Sequence, residues 1–366
     1  MNKTLFSTFK LGNTVLKNRV VMSPMARSRA EENIPNKLMA KYYGQRSAAG
    51  LIITEGTSPS PNGLGYTRMP GIFNSKQVEG WKLITKAVHD RGSHIFVQLM
   101  HSGRSSSEIN LPEGAVTVSP SSKANSGEIF TDKLGMVSHT PPKQMTQEDI
   151  MKARREFVQA ALYAMQAGFD GVEIHGANGY LIEQFINANV NDRADGYGGS
   201  VENRSRFLLE VAKETAEAIG KDKVGVRLSP YNVFGMAEGH DYEGLEDTYA
   251  YLAEKLSELG IAYIHVVDHS SMGAPAVTDS VKQKIRDNFK GAYILSGGYS
   301  KKRAEADLEA GKGELVAFGR PFIANPDLVE RMEMDAPLNE PDTSTFYTPG
   351  EKGYTDYPFL KEVIAG

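Results

Sequence analysis

The chain has 366 residues, 40% of them hydrophobic and 23% charged, with a net charge of −4. That is a globular composition, long enough for one large α/β domain, and its weak acidity without a basic stripe gives no electrostatic case for nucleic acid. The absence of cysteine excludes disulfides, cysteine-ligated zinc and iron–sulfur clusters. No apolar run reaches the ~18 residues of a membrane span, and the opening MNKTLFSTFKLGN lacks a secretory signal. A cytoplasmic location without membrane contact is therefore expected.

Residues 5–15 alternate weakly around Gly12-Asn13 and suggest a small hairpin. Arg19-Val-Val-Met22 reads as a first buried strand, ending in Ser23-Pro24-Met25-Ala26. A helix is expected over 35–49, a strand over Leu51-Ile-Ile-Thr54, and a helix that starts at Ser75 as N-cap and stops at Gly92. Ile95-Phe-Val-Gln-Leu99 is the third strand. The stretch 100–144 is rich in Ser, Gly and Pro and reads as a lid-like loop. Thr146 then caps a helix that runs to Ala167.

The fourth strand opens the most informative stretch, Gly171-Val-Glu-Ile-His-Gly-Ala-Asn-Gly-Tyr180. His175, Asn178 and Tyr180 come in quick succession at a strand end, where packing needs none of them. Helix and strand alternate onward through Val224–Leu228, 261–267, 293–295 and Leu315–Phe318 to a last helix over 326–334. Eight apolar strands alternating with helices predict a closed (β/α)₈ barrel, a TIM barrel, as one domain over 1–366 with an extended tail over 336–366. An open doubly wound sheet would want phosphate-binding glycines after the first strand, where Ser-Pro-Met-Ala stands instead.

Chemistry in such a barrel collects at the C-terminal ends of the strands. Those ends present Pro24, Met25 and Ala26; Gly56; Gln98; His175, Asn178 and Tyr180; Arg227; Ser296, Gly297 and Gly298; and Gly319 and Arg320. The glycines after the last two strands, with Arg320, suit a phosphate; tight turns alone would explain the glycines but not the arginine. Arg227 lies in an apolar strand and reads either as half of a buried ion pair or as a cation held against a ligand that gains negative charge. Gln98 reads either as a satisfied core amide or as a reader of a polar ring edge. His101-Ser-Gly-Arg104 and Asp268-His269 lack the spacing of a metal set and read as loop residues walling a pocket.

The run 168–185, Asn191-Asp-Arg-Ala-Asp-Gly-Tyr-Gly-Gly-Ser-Val-Glu-Asn-Arg204, Val226-Arg-Leu-Ser-Pro230, Ala317-Phe-Gly-Arg-Pro321 and Tyr354-Thr-Asp-Tyr-Pro358 together resemble the Old Yellow Enzyme family of FMN-dependent ene-reductases. The resemblance implies tightly bound, non-covalent FMN, NADPH or NADH as reductant, and ping-pong hydride transfer through flavin N5 to activated alkenes or nitro compounds. It places Pro24, Met25, Ala26 and Gly56 along the flavin, Gln98 at its pyrimidine edge, and Arg227 near N1 and the C2 carbonyl. Ser296, Gly297, Gly298, Gly319 and Arg320 fall at the phosphate. His175 and Asn178 match the pair that binds the substrate oxygen and Tyr180 the proton donor, with Tyr66, Met100 and Tyr357 bordering the pocket. Ala26 and Met100 depart from the Thr or Cys and the Trp that many members carry. The sequence leaves open the physiological substrate, the choice of nicotinamide, and monomer against homodimer. A sugar-phosphate isomerase or aldolase, with Glu55 as its strand-end base, and a non-catalytic flavin sensor are the rival readings.

Overall fold

A computed structural model describes residues 4–365; Met1–Lys3 and Gly366, which the one-domain expectation includes, lie outside the described residues. A hairpin of β1 (Phe9–Leu11) and β2 (Thr14–Leu16) precedes β3 (Val20–Met22), α1 (Lys37–Gln45), β4 (Leu51–Thr57), α2 (Ser75–His89) and β5 (His94–Leu99). The stretch expected as a loop contains four short strands. β6 (Val118–Ser119) pairs with β9 (Lys143–Gln144), and β7 (Glu128–Thr131) with β8 (Gly135–Ser138). α3 (Gln147–Gln166), β10 (Gly171–Gly176), α4 (Leu181–Ile186), α5 (Val201–Ile219), β11 (Val224–Leu228) and α6 (Leu245–Leu259) follow. β12 (Tyr263–Val267), α7 (Asp279–Asn288), β13 (Ala292–Ser296), α8 (Lys301–Glu309), β14 (Leu315–Phe318), α9 (Arg320–Ala324), α10 (Leu328–Glu333) and α11 (Leu360–Ala365) complete the chain.

The eight strands β3, β4, β5, β10, β11, β12, β13 and β14 close into a parallel barrel in that order, as the alternation predicts. The barrel strands are mostly apolar and almost wholly buried because their alternate residues enter two different cores. Val20 and Met22, Ile52, Val97, Ile264 and Val316 pack outward against the helices. Val21, Leu51, Ile53, Phe96, Tyr263, Ile294 and Leu315 fill the barrel, with Leu11 and Leu16 of the hairpin against them. Two glycines inside strands make room for this filling. A Cβ at Gly171 would strike the Phe96 ring, and one at Gly225 the Tyr263 ring.

Helix starts follow local chemistry. Thr146 and Asp149 form a capping box at α3, and the Asn36, Ser200, Thr278 and Ser300 side chains cap α1, α5, α7 and α8. The expected cap at Ser75 is instead Asn74, whose side chain accepts from the Gln77 N–H.

The tail is held by buried arginines. Arg27 donates to the carbonyls of Phe346 and Gly353, and Arg29 to those of Thr345, Phe346, Gly350 and Lys352. Arg46 reaches the Tyr354 carbonyl, while the Tyr354 ring stacks on Tyr42 at 4.0 Å. An irregular segment leaves its carbonyls unpaired, and guanidinium groups supply the missing donors.

Candidate active site

β10 runs two residues beyond the expected strand, so His175 sits on the strand itself and faces Arg227 across the β10–β11 register. His175 is buried, and its Nδ1 accepts the Ala177 N–H at 3.2 Å. Burial, then the Arg227 charge, holds its pKa well below the usual histidine value. The neutral ring therefore carries its proton on Nε2 and offers one donor.

The turn after β10 is built to hold Asn178. This residue takes a left-handed φ of 59°, which asparagine tolerates better than most residues. Its N–H donates to Ser229 Oγ at 2.8 Å, and Ser229 Oγ donates to Glu183 at 2.9 Å. Glu183 also accepts the Gly179 N–H at 2.5 Å and the Asn232 amide at 3.0 Å. Burial drives the Glu183 pKa up to about 8 against those hydrogen bonds. The Asn178 side-chain oxygen lies 2.7 Å from His269 Nε2, so its amide NH₂ is left free.

Tyr180 follows. Its ring meets His175 edge-on at 4.9 Å, and its hydroxyl bonds that of Tyr66 at 3.2 Å. Burial raises the pKa of both tyrosines. Tyr66 and Tyr180 pack with Met100, and Met100 in turn lies against Gly56, where any Cβ would collide with its sulfur.

Beneath these groups lies a charged cluster inside the barrel. Glu173, fully buried, accepts from Gln98 Nε2 at 2.7 Å and pairs with His265 Nδ1 at 2.8 Å. Burial alone would raise the Glu173 pKa; His265, Arg227 and Gln98 outweigh it and hold it below the ordinary value. The buried Arg227 Nε has no hydrogen-bond partner among the described residues.

These residues fit FMN. Arg227 is a buried cation with an unused donor at the strand ends, suited to a ring that becomes anionic on reduction. Gln98 gives its NH₂ to Glu173, which leaves its carbonyl oxygen for the N–H of a pyrimidine edge. Gly297 and Gly298 have φ of 129° and 61°, and a Cβ there would meet Asp268 or Ser271. A Cβ at Gly319 would meet only Met25 and Ser23, at 3.7 and 3.8 Å, but the backbone there, with φ −101° and ψ −94°, lies outside the regions other residues favour. Arg320 and Ala26 are exposed beside it, while Pro24 and Ser296 are buried and Met25 is half-buried.

Tyr357 lies in the tail, where its hydroxyl accepts the Asp342 N–H at 2.9 Å. Elsewhere in the tail, Arg68 donates to the Tyr347 carbonyl at 2.9 Å. Glu55, the base an isomerase would need, is buried and taken up by the Arg27 N–H and the Tyr43 hydroxyl. Sequence reasoning missed Glu173 and Glu183 as parts of the site and read His269 only as a pocket wall, not as the partner of Asn178. Glu173 and Glu183 carried a readable signal, since each is a carboxylate inside an otherwise apolar run.

A barrel with a cation under a ring site and neutral donors above it defines a flavin-dependent oxidoreductase. Residues 4–339 match the NADH:flavin oxidoreductase / NADH oxidase family. A putative 12-oxophytodienoate reductase 11 of Oryza sativa subsp. japonica is 41% identical over 360 residues, 97% of each chain. A probable flavin mononucleotide-dependent alkene reductase of Leishmania infantum is 39% identical over 355 residues, 96% of each chain. The solved structure of morphinone reductase superposes with a TM-score of 0.94 at 42% identity, covering 99% of this chain and 98% of that one. The same enzyme is also solved in complex with tetrahydroNAD. The chain belongs to the Old Yellow Enzyme family, and it is an FMN-dependent, NAD(P)H-dependent ene-reductase.

Proposed function

We propose that this chain, acting as a single domain, reduces the C=C bond of α,β-unsaturated carbonyl and nitro compounds, with reduction of nitro groups and nitrate esters as a side activity. When bound, FMN supplies hydride transfer from NAD(P)H to the alkene. His175 Nε2–H and the Asn178 amide donate to the substrate's carbonyl or nitro oxygen. This polarises the alkene and stabilises the charge that builds on that oxygen, where one preorganised donor is worth about 3 kcal/mol. Tyr180 delivers the proton to the neighbouring carbon, a step contributing on the order of 10²- to 10⁴-fold. Its raised pKa keeps that proton in place until charge develops. Arg227 supports negative charge at the ring site, and Gly297, Gly298, Gly319 and Arg320 hold the phosphate. Tyr66 and Met100 shape the pocket.

The observation that carries this reading is the donor pair. The Ala177 N–H occupies His175 Nδ1 and His269 occupies the Asn178 oxygen, so both free groups are donors. The first test is a spectrum of purified protein, then anaerobic NADPH or NADH, then 2-cyclohexenone. A yellow spectrum that bleaches and recovers is the expected result. Yellow protein that nicotinamides do not bleach would leave a flavin sensor, and protein that stays colourless with added FMN would overturn the cofactor assignment.

A further inference from the structure

A primary amide has nearly the same shape whichever way it faces, but its two ends have opposite roles. If the Asn178 carboxamide turned over, its oxygen would face the substrate oxygen. One hydrogen bond would be lost and two acceptors would be set against each other. The turn's backbone contacts fix where Asn178 sits, but they do not fix which end of the amide points into the site.

Only one side chain bonds that amide among the described residues. His269, in the short turn after β12, places Nε2 2.7 Å from the Asn178 oxygen. The His269 ring is itself held edge-on by Phe234 at 5.0 Å. Phe234 is tied in turn, its N–H donating to Asn232, whose amide reaches Glu183. The loop after β11 and the turn after β12 therefore meet at the Asn178 amide from outside.

We propose that His269 is a positioning residue: through Nε2–H it holds the Asn178 oxygen and so keeps the amide NH₂ turned to the substrate oxygen. This rests on the donor-pair reading above. It makes the site selective for substrates whose activating group is a hydrogen-bond acceptor, because Asn178 is not free to present its own oxygen. Burial, then the Arg227 charge, lowers the His269 pKa to about 4. The ring is thus neutral at physiological pH and carries a single proton to give.

The test uses flavin-loaded protein. The dissociation constant of 2-cyclohexenone is taken from perturbation of the oxidised flavin spectrum. The limiting rate is taken from reoxidation of dithionite-reduced enzyme, which leaves nicotinamide out. His269→Leu should raise the dissociation constant about fivefold to tenfold, the effect of losing one neutral hydrogen bond. His269→Gln, which keeps an N–H donor, should stay within about twofold of wild type. Asn178→Ala should weaken binding similarly, and His269→Leu added to it should do nothing more.

FMN content and the unfolding midpoint report whether each variant is folded. If Asn178→Ala weakens binding while His269→Leu stays within twofold, the positioning role falls and the proposed function stands. Equal and additive losses in the double variant would also overturn it, since His269 would then act independently of Asn178. If Asn178→Ala itself has no effect, the donor-pair reading falls and takes this proposal with it.

Discussion

Glu173→Gln keeps the shape of the side chain and removes its charge from the barrel interior. Glu173 is fully buried and serves two partners, Gln98 at 2.7 Å and His265 at 2.8 Å, with Arg227 as the nearby cation. Glutamine would keep one acceptor and turn an NH₂ toward a group that already donates. It would also leave the Arg227 guanidinium buried without its counter-charge. Breaking a buried pair from one side costs ~3–5 kcal/mol, and that is the loss of stability expected here. The assay is urea unfolding at fixed FMN concentration, followed by fluorescence of Trp81, the single tryptophan, which is buried. The folded-state pKa of Glu173 lies below its ordinary 4.5, so its stabilisation is present above that value and is lost as pH falls through the folded pKa. The gap between wild type and variant should be full at pH 7 and shrink below 4.5. A loss under about 1 kcal/mol at pH 7, or a gap that ignores pH, would refute charge as what holds this cluster.

Glu183 has the opposite sign. With its pKa raised to about 8, the folded state holds a proton that the unfolded state releases above 4.5. Wild-type stability should therefore fall relative to Glu183→Gln between pH 6 and pH 8, by on the order of 2 kcal/mol; parallel urea midpoints at the two pH values would contradict this. Ala26→Thr adds a hydroxyl at an exposed position on the ring side of β3 and should speed flavin reduction by NAD(P)H. Stopped-flow bleaching and the flavin midpoint potential check it, and no change in either counts against it. Arg29→Met removes the donor shared by four tail carbonyls and should open that segment to trypsin at Lys352. A digestion rate equal to wild type would show that Arg27 and Arg46 suffice.

The barrel was legible because its two cores cut each strand with period two, so the strands read as largely apolar runs between helix signals, broken only by a few polar residues such as Glu173 and Arg227. The strand-end residues followed from topology. What stayed hidden were contacts between segments far apart in sequence. Arg227 reads equally as an ion-pair partner or as a ligand cation, and the structure shows why: Glu173 offsets its charge while its Nε keeps an unused donor. Tyr357 lies in a tail with no regular period, so nothing local says that its hydroxyl meets the Asp342 N–H. Asn74 and Ser75 are adjacent and both favour the cap position, and only the fold decides between them. His269 stands in a turn where its partner, Asn178, is a residue of another strand's loop.

The arginine clasp on the tail has a consequence for how this protein is made. Arg27, Arg29 and Arg46 stand between β3 and the end of α1, and their acceptors in the tail lie 308 to 326 positions later in the chain. During synthesis the bonds to residues 345–354 form only once that segment arrives, although Arg29 can already reach the Arg27 carbonyl and Arg46 that of Tyr42. A chain cut before that point has all eight barrel strands but lacks the tail acceptors, so Arg46 keeps the Phe322 and Ile323 carbonyls while Arg29 keeps only that of Arg27. The clasp thus ties β3 and α1 to residues 345–354, and a chain lacking them leaves buried guanidinium donors unmatched on that side of the barrel.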